Sequence, residues 1–216
     1  MQYDSSLDGL ILTDVSLESG EYIFDRVVDL GAVFTARLIR RLVIRGYLPD
    51  NLWDARTNLI DTWADIDDDT VERVDAKLYV RSTPDDPSGT PTWSAWHEFS
   101  NALLRGRGFQ FKVIAISEEV GQNVVVDELG ATFELEQRTE MAGAVTTNAA
   151  GFTTIPFESN FYQPPVIGIT SYDLSAEFVE VINVTREDFA IQFIHSGQTL
   201  TSNFNYTAVG YGKEIV

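Results

Sequence analysis

Trp93-Ser-Ala-Trp-His-Glu-Phe-Ser-Asn-Ala-Leu-Leu-Arg-Gly-Arg-Gly-Phe-Gln-Phe-Lys-Val113 is the stretch on which the reading of the fold turns. It opens with three aromatic residues evenly spaced, Trp93, Trp96 and Phe99, and crosses a segment rich in Arg and Gly. It closes on alternation, with Phe109, Phe111, Val113 and then Ala115 on one side of an extended chain. Side chains of a strand point alternately to its two faces, so the pattern describes a half-buried strand at the pivot of a β-sandwich. Gly106 and Gly108 flank Arg107, a pattern that suits a turn needing positive φ.

The same alternation extends outward. Upstream, Val74, Ala76, Leu78 and Val80 alternate with Asp75, Lys77, Tyr79 and Arg81, and the Pro- and Gly-rich Thr83 to Pro91 is a loop leading into Trp93. From Ala32 to Tyr47, Phe34, Ala36, Leu38, Leu42 and Ile44 fall on one face and Arg37, Arg41 and Arg45 on the other, with Arg40 interrupting the apolar side. Leu38, Arg41, Leu42 and Arg45 would also suit a helix, but period two fits better. The arginines then form a solvated strand face that meets the abundant carboxylates. Short strands are expected near Leu10 to Val15 and Tyr22 to Val28, the latter ending in a turn at Asp29-Leu30-Gly31, and again at Asn123 to Val126 and Ala131 to Glu136.

A boundary is expected near residue 137, where acidity thins: residues 1–136 hold 25 of the 33 acidic residues. Met141 to Ala150 reads as a connector or first edge strand. Strand-like runs follow at Phe152 to Phe157, Val166 to Ser171, Phe178 to Val184, Phe189 to His195 and Phe204 to Gly212. The expected fold class is therefore all-β, two antiparallel β-sandwich (jelly-roll-like) domains over 1–136 and 137–216. A sandwich as small as the second is commonly steadied by oligomerisation.

Composition removes several functions. There are no cysteines, so disulfides, thiolate metal sites and cysteine nucleophiles are excluded. A net charge of −18 opposes binding to nucleic acid and to anionic membranes. No apolar run reaches the roughly 20 residues that span a bilayer, and Met1 to Ser6 lacks the basic and apolar regions of a signal peptide.

Catalytic signatures are equally sparse. Only His97 and His195 are available as imidazole bases, and no Gly-x-Ser-x-Gly elbow accompanies them. The acidic stretch Pro49 to Thr70 contains Asp61, Asp65, Asp67, Asp68 and Asp69, carboxylates of the kind that hold calcium. An EF-hand frame beginning at Asp65 fails, because Thr70 stands at the glycine position and Ala76 at that of the bidentate Glu. What remains is an irregular calcium site in loop 61–69 or a solvated acidic loop. Asn183-Val-Thr and Asn205-Tyr-Thr match the glycosylation sequon but read as turn and strand residues. Candidate contact residues for a glycan or protein are Tyr162, Tyr172, Asp173, His195 and Tyr211: aromatic faces suit both ligands, and His195 sits at the end of an alternating strand before Ser196-Gly197. Phe161 is expected in the core.

Two segments resemble known families. Trp93-Ser-Ala-Trp with Arg107-Gly-Phe-Gln-Phe-Lys-Val and Val124-Val-Val-Asp-Glu-Leu resembles a discoidin-like sandwich of tail-tip and host-specificity proteins of long-tailed bacteriophages. Ile155-Pro-Phe, Pro164-Pro-Val, Asn183-Val-Thr, Phe189-Ala-Ile and Phe204-Asn-Tyr-Thr-Ala-Val-Gly-Tyr-Gly resemble the H-type lectin-like sandwich of phage tail proteins. The resemblance implies a homotrimeric tail-tip or fibre part of the virion, assembled in the host cytoplasm beside other tail proteins. Such a part binds a host cell-surface glycan or outer-membrane protein and makes or breaks no bonds. It also leaves room for these residues being the end of a longer polypeptide. The alternatives are a purely structural tail protein and a glycan depolymerase working through paired carboxylates.

Overall fold

The computed structural model describes residues 1–48, 73–119, 121–172 and 176–215. The acidic loop 61–69 and Asp173 lie outside the described residues. Within them every regular element is a strand, and the fold is all-β. The chain forms two compact units: Met1–Asp29, Arg37–Leu103 and Gly108–Phe133 make the first, and Leu30–Ala36, Leu104–Arg107 and Glu134–Val216 the second. The second thus takes in two short stretches from earlier in the chain beside its main run from Glu134.

The first sheet is built from β1 (Gln2–Asp4), β2 (Gly9–Ile11), β3 (Ser19–Ile23), β4 (Val28–Tyr47), β5 (Val74–Thr83), β6 (His97–Glu98), β7 (Asn101–Ser117) and β8 (Asn123–Leu135). Their order is β1-β2-β8-β4-β7-β5-β6, and β3 also pairs with β7. β7 pairs with β5 from Val74↔Ser117 to Thr83↔Gly108 and with β3 from Ser19↔Ile116 to Ile23↔Lys112, both antiparallel. Alternation along these strands buries Leu38, Leu78, Val80, Phe109, Val113 and Ala115 completely. The rings of Phe109 and Phe111 meet Phe133 at 5.3 and 6.0 Å, and Phe99 lies 5.9 Å from Phe111.

Several expectations are corrected. The Asp29-Leu30-Gly31 turn is part of β4, where Gly31 takes a φ of 78° without interrupting the strand. The Gly106-Arg107-Gly108 turn is likewise the interior of β7. A glycine is needed there because another chain segment comes close: a Cβ on Gly108 would lie 2.8 Å from Thr83 Cγ2 and 3.0 Å from Pro87 Cβ. The strand expected at Tyr22 to Val28 is β3, shifted to Ser19–Ile23, and the two expected near residues 123 and 131 are one, β8. On the outer face of β4, Arg41 pairs with Glu128 at 2.7 Å and Arg45 with Asp127 at 3.0 Å, so these arginines meet carboxylates of β8.

The tryptophans close the sheet from outside. The Arg81 guanidinium lies 4.9 Å from the Trp93 ring centre and 4.7 Å from that of Trp96. Lys112 in turn lies 5.0 Å from Trp96 and 5.5 Å from Tyr79. Cations and rings therefore alternate in one stack, a favourable pairing of positive charge with the negative face of each ring. Arg81 Nε and Nη2 donate to Gln110 Oε1, and Lys112 Nζ to Glu21 Oε2, which fixes both cations. Ser94 N donates to Ser82 O, tying the tryptophan loop to β5.

The second unit contains β9 (Gln137–Thr146), β10 (Thr153–Pro156), β11 (Val166–Ser171), β12 (Phe178–Ile182), β13 (Asp188–His195), β14 (Gln198–Leu200) and β15 (Asn203–Tyr211). One sheet runs β10-β13-β12 with β14 on β13, and the other runs β11-β15-β9. Between them lies an aromatic core: Phe161, Phe189, Phe193 and Phe204 are fully buried, joined by Phe157 and Tyr206. Phe157 and Phe161 meet at 5.0 Å, Phe189 and Tyr206 at 5.1 Å, and Phe193 and Phe204 at 5.5 Å. The segment from Met141 is the second half of an edge strand. Asn183 sits at a φ of 50° in the β12–β13 turn and Asn205 lies within β15, so both sequons are turn and strand positions.

Gly108→Ala is expected to lower the unfolding free energy by about 1–3 kcal/mol through overpacking against Thr83 and Pro87. Urea denaturation, with Gly89→Ala as a control, measures it. Equal stability of the two variants would show that β7 and the loop that follows β5 do not need the close approach.

Candidate functional site

Two antiparallel registers decide what the second unit presents on the outside of its β11-β15-β9 sheet. Val166↔Val209 through Ser171↔Phe204 aligns β11 with β15, and Tyr211↔Gln137 through Asn203↔Thr146 aligns β15 with β9. Because alternate residues share a face, Val209 stands between Thr139 and Val166, and Thr207 between Met141 and Gly168. Asn205 then stands beside Thr170, Asn203 beside Thr146, and Tyr211 beside Gln137. None of these side chains is charged.

The only charged residues in the three strands are Arg138 and Glu140, on the opposite, inward side. Their side chains are 16% and 12% exposed and 3.5 Å apart. Arg138 lies 3.7 Å from the Phe161 ring centre and donates to the hydroxyl and carbonyl of Ser159. Glu140 Oε1 accepts from Glu158 N and from the Tyr206 hydroxyl, each at 2.9 Å. Burial, then the bond to Glu140, pushes the Tyr206 hydroxyl up to about 12. Burial also pulls the Arg138 guanidinium below its ordinary value, opposed by Glu140. The network is structural: it turns the charges of β9 inward and leaves the outer face neutral.

One end of this face is shaped by a bulge. Register shifts between Phe204 and Tyr206, opposite Ala144 at a φ of 55°. Asn205 satisfies the irregular backbone, its Oδ1 accepting from Ala144 N at 2.9 Å. Its Nδ2 donates to the hydroxyl of Tyr172, and Tyr172 N donates to Asn203 O at 3.2 Å. The Tyr172 ring is therefore held at both ends while 61% of the residue is exposed. Thr146 Oγ1 donates to Asn203 Oδ1 at 2.6 Å, adding a hydroxyl and an amide at this end of the sheet.

The four candidate residues that are described divide between two ends of the unit. Tyr172 follows the Ser171↔Phe204 pair, and His195 follows Phe193, whose ring meets Phe204, so both lie toward the same end. His195 Nδ1 is 3.6 Å from Glu177 Oε1, and Ser196 N donates to Glu177 Oε2 at 3.0 Å. Ser196 and Gly197 both take positive φ and close the two-residue β13–β14 hairpin, pairing His195 with Gln198. Tyr211 and Tyr162 lie at the opposite end, linked by Tyr162 N donating to Tyr211 O at 2.9 Å. There Tyr162 packs edge-on against Phe34 at 5.6 Å, and a cleft of about 400 Å³ lies among Thr35, Gln137, Arg138, Gly212 and Lys213.

Sequence reasoning passed over Asn203, Asn205, Thr146 and Thr170. Polar residues at alternate strand positions look like ordinary solvated faces, and only the pairing of β15 with two distant strands collects them. Chemically, the Tyr172 end offers a fixed ring face, amide groups and hydroxyls, the means of holding a polyol or a polar protein surface. Among the described residues no group of three or more His, Asp or Glu side chains is placed to hold a metal ion.

No protein-family model matches the chain, and neither the curated proteins nor the solved structures supply a match.

Tyr206→Phe is expected to remove an alkaline weakness. The folded hydroxyl ionises near 12 and an unfolded one near 10.0, so the folded state binds the proton more tightly. That stability is fully present below 10.0 and is lost as pH rises toward 12. Unfolding curves across this window should show a steeper loss for the native protein than for the variant. Parallel losses would contradict the burial of the Tyr206 hydroxyl beside Glu140.

Proposed function

We propose that the protein is a binding component of a bacteriophage tail tip or fibre that takes hold of a host cell-surface receptor, a glycan or an outer-membrane protein, without bond chemistry. The observation that carries this reading is the Tyr172 ring, exposed yet held by Asn205 and by its own backbone bond to Asn203. Exposed aromatic rings normally lose rotamer freedom when they bind. A ring already fixed loses less and gives more net affinity from the same contact. His195 and the Glu177 hairpin lie toward the same end and are available as a polar rim.

The sequence resemblance supplies the context of a tail-tip or fibre part, three copies to an assembly and other tail proteins as neighbours. In that setting weak contacts from several copies add through effective concentration, so each site needs only modest affinity. The acidic surface fits the reading as well, since it discourages unspecific attachment to nucleic acid released from lysed cells.

The test is binding of the labelled chain to host and non-host bacteria, with Tyr172→Ala beside the native protein. The expected result is selective binding to host cells that falls about tenfold or more in the variant, the scale of a central aromatic contact. Equal binding to both cell types, or a variant that binds as well as the native protein, would overturn the reading. Release of reducing ends from host polysaccharide would assign the chain to a depolymerase instead.

A further inference from the structure

We infer that the neutral outer face of the β11-β15-β9 sheet is the surface through which copies of this chain meet one another. The inference does not rest on the receptor reading, because it concerns the middle of the face and not the Tyr172 end.

The argument begins with charge. Each chain carries −18, so two copies repel at long range, and charged residues brought close to a symmetry axis face their own counterparts. A self-contact therefore requires a surface whose centre carries no charge. β15 supplies it: Thr207 and Val209 run down the middle, flanked by Met141 on β9 and by Val166 and Gly168 on β11. Met141 is 73% exposed and Val166 76% exposed, two apolar side chains held in water on a rigid sheet. Loss of charge with retention of apolar and hydroxyl side chains is the composition that marks the desolvated centre of an interface.

Size and competing occupants point the same way. Three strands about 4.8 Å apart, β9 and β15 some 30 Å long and β11 about 20 Å, present about 400 Å², the scale of the centre of a standard interface that covers about 800 Å² on each partner. A cationic partner would be drawn to the carboxylate-rich surfaces elsewhere on the chain. A second copy is the occupant for which the missing charge matters most. The inward turn of Arg138 and Glu140 fits this, since β9 keeps its only two charges off the outer face.

The experiment is the mass of the intact chain in solution, by light scattering, for the native protein, Thr207→Asp and Met141→Asp, with circular dichroism confirming that each variant is folded. The native protein should have a mass that is a multiple of 24.1 kDa. Its association should strengthen as salt rises from about 0.05 to about 0.5 M, where screening shortens the reach of repulsion to a few ångströms. Both variants should be monomeric at the same protein concentration, because each places like charges in the contact. A native protein that stays monomeric, or an assembly that both aspartates leave intact, would overturn the inference. So would variants that keep the native mass and lose only cell binding, which would make the face a receptor surface. Failure of the receptor reading is distinct from all of these: it appears as absent cell binding by a chain that still assembles.

Discussion

Hydrogen bonding on both edges of β7 is the constraint on which the first unit depends. β5 pairs along one edge over Val74 to Thr83, and β3 and β4 share the other. Between these partners the alternating side chains of β7 turn one face to the core, and Phe109, Phe111, Val113 and Ala115 are buried there. Gly108 is part of the same constraint, because the residue opposite Thr83 has no room for a side chain. The segment between Arg105 and Gly108 reads as a turn locally, yet β7 runs through it from Asn101 to Ser117.

The tryptophans act on the opposite face of the same strands. Trp93 and Trp96 do not enter the core. Instead they interleave with Arg81 and Lys112, so that basic residues of two neighbouring strands and rings of the preceding loop cover one another. Each such contact is worth about 0.5–1 kcal/mol at an exposed site, and the stack holds a Pro- and Gly-rich loop that has little regular structure of its own. The Trp-x-x-Trp spacing was legible as structural, while its cationic partners lie on strands that sequence proximity does not connect.

In the second unit the same logic runs with the charges inverted. Arg138 and Glu140 are satisfied inward by Ser159, Tyr206 and Glu158, and the outer face of the sheet keeps only hydroxyls, amides, rings and aliphatic groups. A neutral face on so acidic a chain is available both for a fixed aromatic contact at its Tyr172 end and for contact between copies at its middle. The two uses are spatially separable along β15, which is nine residues long.

By itself the sequence determined that the chain is all-β and which side chains of each long strand go inward. Side-chain direction in a strand alternates locally and needs no partner to be read, so Phe34, Ala36 and Leu38, or Ala76, Leu78 and Val80, announce their face in five residues. It also singled out Tyr172 and His195, as an aromatic in a turn and an end-of-strand histidine. Only the tertiary structure decided that glycines lie inside β4 and β7, that β3 and β4 share an edge of β7, and that Asn205 holds Tyr172. It alone aligned β9 and β11 on either side of β15 to make a face without charge. Each of these depends on residues tens of positions apart meeting in a particular register, and register is set by packing across the sheets, which no local pattern records.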